Sequence, residues 1–338
     1  MMRDCAQEIA VDGVLVVNKP EGWTSHDVVA KVRGLLGIAK VGHTGTLDPA
    51  ATGVLLLCLG KATRIAEYLV QAEKEYRAVL RLGVTTDTQD ATGVETARSS
   101  RALPDRAAIE AAMGRFVGQH QQTPPMYSAV KIQGVPLYKS ARAGRIVDRP
   151  ARDYTVQSLQ ILSIIPTPPE AARAGGVQPP PATMDVTFDV VCSKGTYVRT
   201  LCADIGEALS VGGHLAVLDR RRVGRFGLDE ALTLDDLSRL AGQESGETLR
   251  ARLHSLADVL DRMPALTLDQ RASEGVRHGV PVSLAQVIER DGHWEAGASV
   301  RLQAEDRRLL AVGKVPCGSE AFAQAPPGTV ITLEKVLA

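Results

Sequence analysis

The sequence predicts an α+β chain, with a large domain of interspersed strands and helices followed by a small β-rich domain at the C-terminal end. Three observations predict it. Short apolar runs bounded by Gly and Pro recur from residue 12 to residue 192, helical patterns lie between them, and beyond residue 264 short strand-like runs prevail. At 338 residues and 44% hydrophobic content the chain is long enough for two domains and a sizeable core.

Taken in order, "DGVLVVN" (12–18) reads as a buried strand stopped by Lys19-Pro20 and Gly22. "TSHDVVAKVRGLLG" reads as a helix capped by Thr24 or Ser25, with Val28, Val29, Val32, Leu35 and Leu36 as its apolar stripe and Gly37 as its stop. A Gly/Thr-rich loop follows, then "VLLLCL", a strand with no polar face. "EYRAVLRLGV" is the next strand and runs into the turn-rich "TTDTQDATG". Residues 104–117 read as a helix with Ile109, Met113, Phe116 and Val117 on one side. "TPPMYSAVKIQGVPLYKSARAG" is a proline-broken loop leading into a basic helix.

"YTVQSLQILSII" and "TMDVTFDVVCSKGTYVRTL" alternate like strands around residues 166–182, whose Pro, Ala and Gly content is that of a linker. That stretch is expected to be a mobile insertion inside the first domain. The domain boundary is expected near 258–264, giving units 10–258 and 262–338. Beyond it, "VPVSL", "ASVRLQ", "LLAVGKV" and "TVITLEKVL" are the expected strands. No internal repeat is evident.

Charge and cysteine content narrow the function. The 39 basic and 39 acidic side chains balance, yet their distribution is uneven. Residues 126–152 carry Lys131, Lys139, Arg142, Arg145, Arg149 and Arg152 against Asp148 alone, and "DRRRVGR" (219–225) holds four arginines and one acid. Residues 229–274 supply the counterweight, ten acids against five arginines. A neutral total can therefore hold a basic face suited to phosphate. The five cysteines are scattered without CxxC spacing, which predicts reduced thiols and a cytoplasmic protein. "MMRDCAQEIA" lacks an apolar h-region, so no secretory signal is expected, and the apolar run Val54–Leu59 is far short of a membrane span.

Nothing in the motifs calls for a cofactor or a metal. Six residues separate Gly53 from Gly60-Lys61 and Ala62 stands where a P-loop needs a hydroxyl. No GxGxxG opens a helix, "DTQDATG" fails the ligand order of a calcium loop, and the seven histidines show no paired spacing. Reactions run by side chains alone remain.

The stretch "VGHTGTLDPAATGVLLLCLGKATR" (41–64) sets a lone carboxylate, Asp48, before a proline and between glycines 42, 45 and 53. Asp48 reads either as the cap of a helix starting at Pro49 or as a loop acid held by the rigid strand behind it. The short run from Pro49 to Gly53 favours the loop acid.

This stretch resembles the catalytic signature of the TruB family of tRNA pseudouridine synthases. Four further stretches match in the family's order: "GVLVVNKPEGWTSHDVV", "KEYRAVLRLGVTTDTQDATG", "TPPMYSAVKIQGVPLYKSARAG" and "SKGTYVRTLCADIGEALSVGGHLAVLDRRRVGRF". The resemblance covers most of residues 12–226 and implies the pseudouridine synthase fold, a mixed, mostly antiparallel sheet flanked by helices. The C-terminal segment resembles the family's RNA-binding PUA-like domain.

The implied activity is isomerisation of a uridine at position 55, in the T loop of tRNA, without a cofactor, by a monomeric enzyme whose partner is the tRNA T stem-loop. Asp48 matches the family's catalytic aspartate. Arg199, in "GTYVRT", matches the arginine that would keep it ionised, and Tyr76 the tyrosine that stacks on the flipped base. Tyr197 and Leu218 match other pocket positions, and His43 a residue that fills space vacated in the RNA loop. Lys19, Lys131, Arg142, Arg145, Arg220 and Arg221 are the expected RNA-backbone cations. Asp219 departs from the family, which usually has arginine there. Two alternatives share the scaffold. One is an RNA-binding or tRNA-folding factor; the other is the catalytic subunit of a guide-RNA-dependent complex, for which a long basic tail or N-terminal arm is expected and not seen.

Overall fold

The structure, a computed structural model, describes residues 11–167, 182–241 and 247–338. Strand β1 (Gly13–Lys19) leads into helix α1 (Ser25–Leu36), whose N-cap is Thr24. Thr24 Oγ1 accepts from Asp27 N at 3.1 Å while Asp27 Oδ2 accepts from Thr24 N at 2.9 Å, a reciprocal cap. Gly37 ends the helix in the left-handed conformation, φ 65°.

β2 (Val41–Thr44) and β3 (Thr52–Leu59) flank the Asp48 loop. From Val54 onward β3 is apolar because it serves two cores. Leu55, Leu57 and Leu59 pack with α1, while Val54, Leu56 and Cys58 pack on the opposite side with Val14 and Val16. The short α2 (Ala66–Val70) precedes β4 (Lys74–Leu82), whose alternate residues Tyr76, Ala78, Leu80 and Leu82 face the main core. The hairpin β5 (Val84–Thr86) and β6 (Glu95–Arg98) encloses the turn-rich segment.

α3 (Arg106–Gly114), β7 (Gly118–Gln122), the hairpin β8 (Lys131–Ile132) and β9 (Val135–Pro136), and α4 (Leu137–Arg142) follow. β10 (Arg152–Thr167) and β11 (Thr183–Cys192) pair with each other up to Thr167 and Thr183. Most of the expected insertion, residues 168–181, lies outside the described residues. The alternation expected to run on through "SKGTYVRTL" stops at Cys192. Gly195 takes φ 79° and the chain turns into helix α5 (Val198–Ala208), because Val198, Leu201, Cys202 and Ile205 repeat at helical spacing and are buried.

β12 (Gly213–Val223) and β13 (Phe226–Gly227) complete a nine-stranded sheet in the order β1-β3-β12-β4-β11-β10-β7, with β2 on β3 and β13 on β12. All its pairings are antiparallel except β12 with β3. α6 (Leu234–Ala241), α7 (Glu247–Arg250) and α8 (Leu256–Val259) form the acidic segment.

A six-stranded sheet then has its own core. It contains β14 (Ala265–Leu268), β15 (Val282–Ser283), β16 (Val287–Asp291), β17 (Ser299–Gln303), β18 (Leu309–Lys314) and β19 (Val330–Val336), with helix α9 (Gln270–Arg277) packed on it. The sequence reading anticipates four of these strands and omits β14, β16 and α9. The two parts meet where Val312 and Leu337 join the core around Val14, and Arg64 Nη1 donates to Val336 O at 2.6 Å.

Candidate active site

Asp48 sits in the turn between β2 and β3. Ala51 N donates to Asp48 O at 3.1 Å, a turn and not the start of a helix, so the loop-acid alternative is the one the backbone adopts. Three side chains clamp this loop. Ser25 Oγ accepts from Leu47 N at 2.9 Å and donates to Leu47 O at 3.2 Å. Lys19 Nζ donates to Pro49 O at 3.1 Å and also to Pro20 O and Trp23 O. Arg220 reaches both ends, Nη2 to Gly45 O at 3.1 Å and Nε to Val54 O at 2.7 Å. Gly53 lets β12 come close: with φ 102°, a Cβ here would stand 2.3 Å from Arg220 O.

Lys19 and Arg220 are therefore not the RNA-backbone cations that their charge suggested. Both are almost wholly buried: the Lys19 ammonium donates to backbone carbonyls, Arg220 donates to two of them through Nε and Nη2, and burial lowers the Lys19 pKa to about 8. They fix the loop from below. Arg221 is partly exposed and pairs with Asp219 at 2.9 Å; Asp219 also accepts from Thr52 Oγ1 at 3.0 Å. Lys131, Arg142 and Arg145 are exposed on the excursion between β7 and β10.

The cleft over Asp48, about 250 Å³, is lined by Tyr76 from β4, Leu218 from β12, and Tyr197 and Arg199 from the start of α5. These five residues, all singled out in the sequence, share one cavity, and Arg220 lines it with them. His43 does not line it. It stands on β2, edge-on to His26 with ring centroids 5.7 Å apart, and burial lowers its pKa. A wider groove of about 700 Å³ beside Trp23 and Lys31 holds none of these five residues.

Arg199 Nε lies 3.0 Å from Asp48 Oδ2. The guanidinium is almost wholly buried, and its other nitrogens reach Tyr127 O at 2.7 Å and Asp90 Oδ2 at 3.5 Å. Sequence reading missed Asp90. It lies in "DTQDATG", where the threonines at 88 and 92 both donate to its Oδ1.

Burial raises the Asp48 carboxyl above the ordinary aspartate range, against the pull of Arg199; Asp90 adds to the rise and Lys19 opposes it. Burial also raises Tyr76 and Tyr197, so both phenols stay protonated. Such a site offers an oriented carboxylate, an aromatic wall and a fixed cation. Among the described residues no cluster of His, Cys, Asp or Glu could hold a metal ion, and no helix is long and apolar enough to cross a membrane.

Family models match almost the whole described chain. Residues 33–198 match the N-terminal domain of the TruB family pseudouridylate synthases, 199–261 the tRNA pseudouridylate synthase B C-terminal domain, and 264–337 the PUA domain. A Burkholderia pseudomallei (strain 668) protein named tRNA pseudouridine synthase B is 42% identical over 323 residues, 96% of this chain and 98% of that protein. A Pseudomonas aeruginosa (strain UCBPP-PA14) protein of the same name is 40% identical over 306 residues, covering 90% of this chain and 92% of its own length. Among solved structures, a chain of a Cbf5-Nop10-Gar1 complex superposes with TM-score 0.74 and 28% identity, over 99% of this chain and 88% of that one.

Proposed function

The chain belongs to the TruB family of pseudouridylate synthases, and from that premise we propose that it isomerises uridine to pseudouridine in tRNA, at position 55 of the T loop. The observation that carries the reading is the 3.0 Å pair of Asp48 and Arg199 at the mouth of a cleft walled by Tyr76, Tyr197 and Leu218. A base must leave its stack to enter such a cleft, and stacking on an aromatic ring offsets part of that cost.

Asp48 acts as nucleophile on the ribose or on the base ring. The C1′–N1 bond breaks with its electron pair staying on the uracil, the base turns, and a C5–C1′ bond forms. The C5 proton leaves to solvent and N1 gains one, so the change is an isomerisation with no outside oxidant or reductant. Arg199 keeps a share of Asp48 ionised in a partly dry site.

Residues 10–258 serve as the catalytic domain and 262–338 as the RNA-binding PUA-like domain, with Lys131, Arg142, Arg145 and Arg221 meeting RNA phosphates. The chain works as a monomer in the cytoplasm. The test uses a T-arm stem-loop carrying tritium at uridine C5. Wild type releases tritium with no added cofactor, and Asp48→Asn binds the RNA without release. A folded, RNA-binding wild type that releases none would overturn the tRNA-isomerase reading in favour of the RNA-folding role or another RNA target.

A further inference from the structure

The cleft around Asp48 contains a polar group that the fold leaves without a protein partner. Ser128 is 5% exposed and lines the cleft with Asp48, Tyr76, Tyr197 and Arg199, yet its Oγ makes no hydrogen bond among the described residues. The Tyr197 phenol is near enough for the hydroxyl to ease its ionisation, but the two do not meet in bonding geometry. Buried hydroxyls are seldom left this way, because an unpaired one has lost its hydration for nothing.

Its position is held from both sides. Arg199 Nη2 donates to Tyr127 O at 2.7 Å, and Tyr138 N donates to Ser128 O at 3.1 Å. The guanidinium that faces Asp48 therefore also fixes the backbone next to this hydroxyl. Other parts of a nucleotide have counterparts elsewhere in the lining: Asp48 for the reacting carbons and Tyr76 for the face of the ring. Leu47, Val198 and Leu218 are apolar, Ser193 and Thr196 are bonded to backbone and Thr46 is exposed, so Ser128 is the buried, unpaired serine or threonine hydroxyl of the lining and suits the polar edge of the base.

We infer that Ser128 donates a hydrogen bond to O4 of the flipped uracil and stabilises the negative charge that the ring takes up during isomerisation. This rests on the function proposed above. Charge reaches O4 on either route open to Asp48. Breaking C1′–N1 leaves the pair on N1, delocalised over O2 and O4, while C1′ is satisfied by a bond to Asp48 or by loss of the C2′ proton. Addition of the carboxylate to C6 instead pushes the C5–C6 pair through C4 onto O4. Ser128 keeps its proton in both cases and only shares it. A donor already in place within a water-poor cleft stabilises such charge more than water does. Turning the base about its C6–N3 axis exchanges N1 with C5 and O4 with O2, so the hydroxyl meets a carbonyl oxygen in both orientations.

The test compares wild type and Ser128→Ala in single-turnover tritium release, with the target base as uridine or 4-thiouridine, alongside RNA binding and thermal melting. For uridine, Ser128→Ala slows release about 10- to 100-fold, the range for a hydrogen bond to a charged group. RNA affinity stays within about twofold, because phosphate contacts dominate it. The melting temperature does not fall, because the hydroxyl has no protein partner to lose. With 4-thiouridine, a poorer acceptor, the ratio of the two rates shrinks towards about one. An uridine rate equal to wild type, a slow variant that also melts early, or a ratio unchanged by sulfur overturns the contact. Any of these leaves the isomerase reading intact, whereas no release by wild type ends both.

Discussion

Arg199 Nε stands 3.0 Å from Asp48 Oδ2. The same guanidinium meets Asp90 Oδ2 at 3.5 Å, so one buried cation is shared between two carboxylates. Their balance sets how much of Asp48 is ionised, and it is open to measurement.

The Asp48 carboxyl is raised by burial, with Arg199 opposing the rise and Asp90 adding to it. Because the neutral acid is favoured, the carboxylate is lost on acidification at a higher pH than in a free aspartate, whose pKa is about 3.9. The acid limb of the single-turnover rate therefore has its midpoint above that value. Asp90→Asn removes a like charge and moves the midpoint down. Arg199→Gln removes the opposite charge, moves it up, and lowers the neutral-pH rate by about 100-fold or more. Tritium release across pH reads all three, and opposite movements of the two variants are the decisive feature; movement in one direction by both removes Arg199 sharing as their cause.

What the sequence made legible was whatever lies close along the chain. The cap and stop of α1, the two-sided burial of β3 and the tight turn at Asp48 follow from local pattern, and the residues picked from the matched blocks, Tyr76, Tyr197, Arg199 and Leu218, line one cavity with Asp48. Charge misled where burial decided. Lys19 and Arg220 look like surface cations in a string of letters, but their carbonyl partners at Pro49, Gly45 and Val54 become neighbours only after folding. Asp90 sits in a segment that fails the ligand order of a calcium loop, and its arginine partner is 109 positions away. Ser25 reads as a candidate cap of α1, not as the clamp on Leu47, and Ser128 gives no signal by itself, because a lone serine has the same letter on a surface turn as in a buried clamp. Helix α9 went unread for a related reason. It is a short amphipathic piece whose only local mark is its Asp269 cap.

Lys19 and Lys74 link the fold to alkaline pH. Burial lowers both ammonium pKa values from 10.5 to about 8. Between those values the unfolded chain binds more protons than the folded one, so stability rises as pH increases from about 8 to about 10.5 and gains nothing from these groups below that window. Lys19→Met removes one of the two contributions and flattens the slope. It also removes the ammonium bonds to the carbonyls of Pro20, Trp23 and Pro49, although Pro49 O keeps its bond from Gly22 N, and losing hydrogen bonds from a charged donor costs about 1.5–3 kcal/mol. Denaturant unfolding at several pH values separates the two effects. An unchanged slope in the variant would show that Lys19 is not the titrating group.

The basic face and the buried cations predict different binding behaviour. Lys131, Arg142 and Arg145 are exposed on the excursion whose inner end, at Tyr127, is bonded to Arg199. Arg142 lies over the Tyr138 ring at 5.6 Å and Arg145 N donates to Ser140 O at 2.9 Å, so the two arginines are held on one short helix and the turn after it. Each exposed cation that meets a phosphate releases about one counterion, so alanine at any of the three weakens T-arm binding and lowers the salt slope by about one. Alanine at Lys19 or Arg220 leaves the salt slope unchanged, because neither reaches solvent; these variants lose rate through a loosened Asp48 loop. Filter binding from low to high salt, paired with single-turnover rates, distinguishes the two groups. A salt-slope change at Arg220 would mean that its guanidinium leaves Gly45 and Val54 for the RNA, and that the clamp on Asp48 opens when substrate binds.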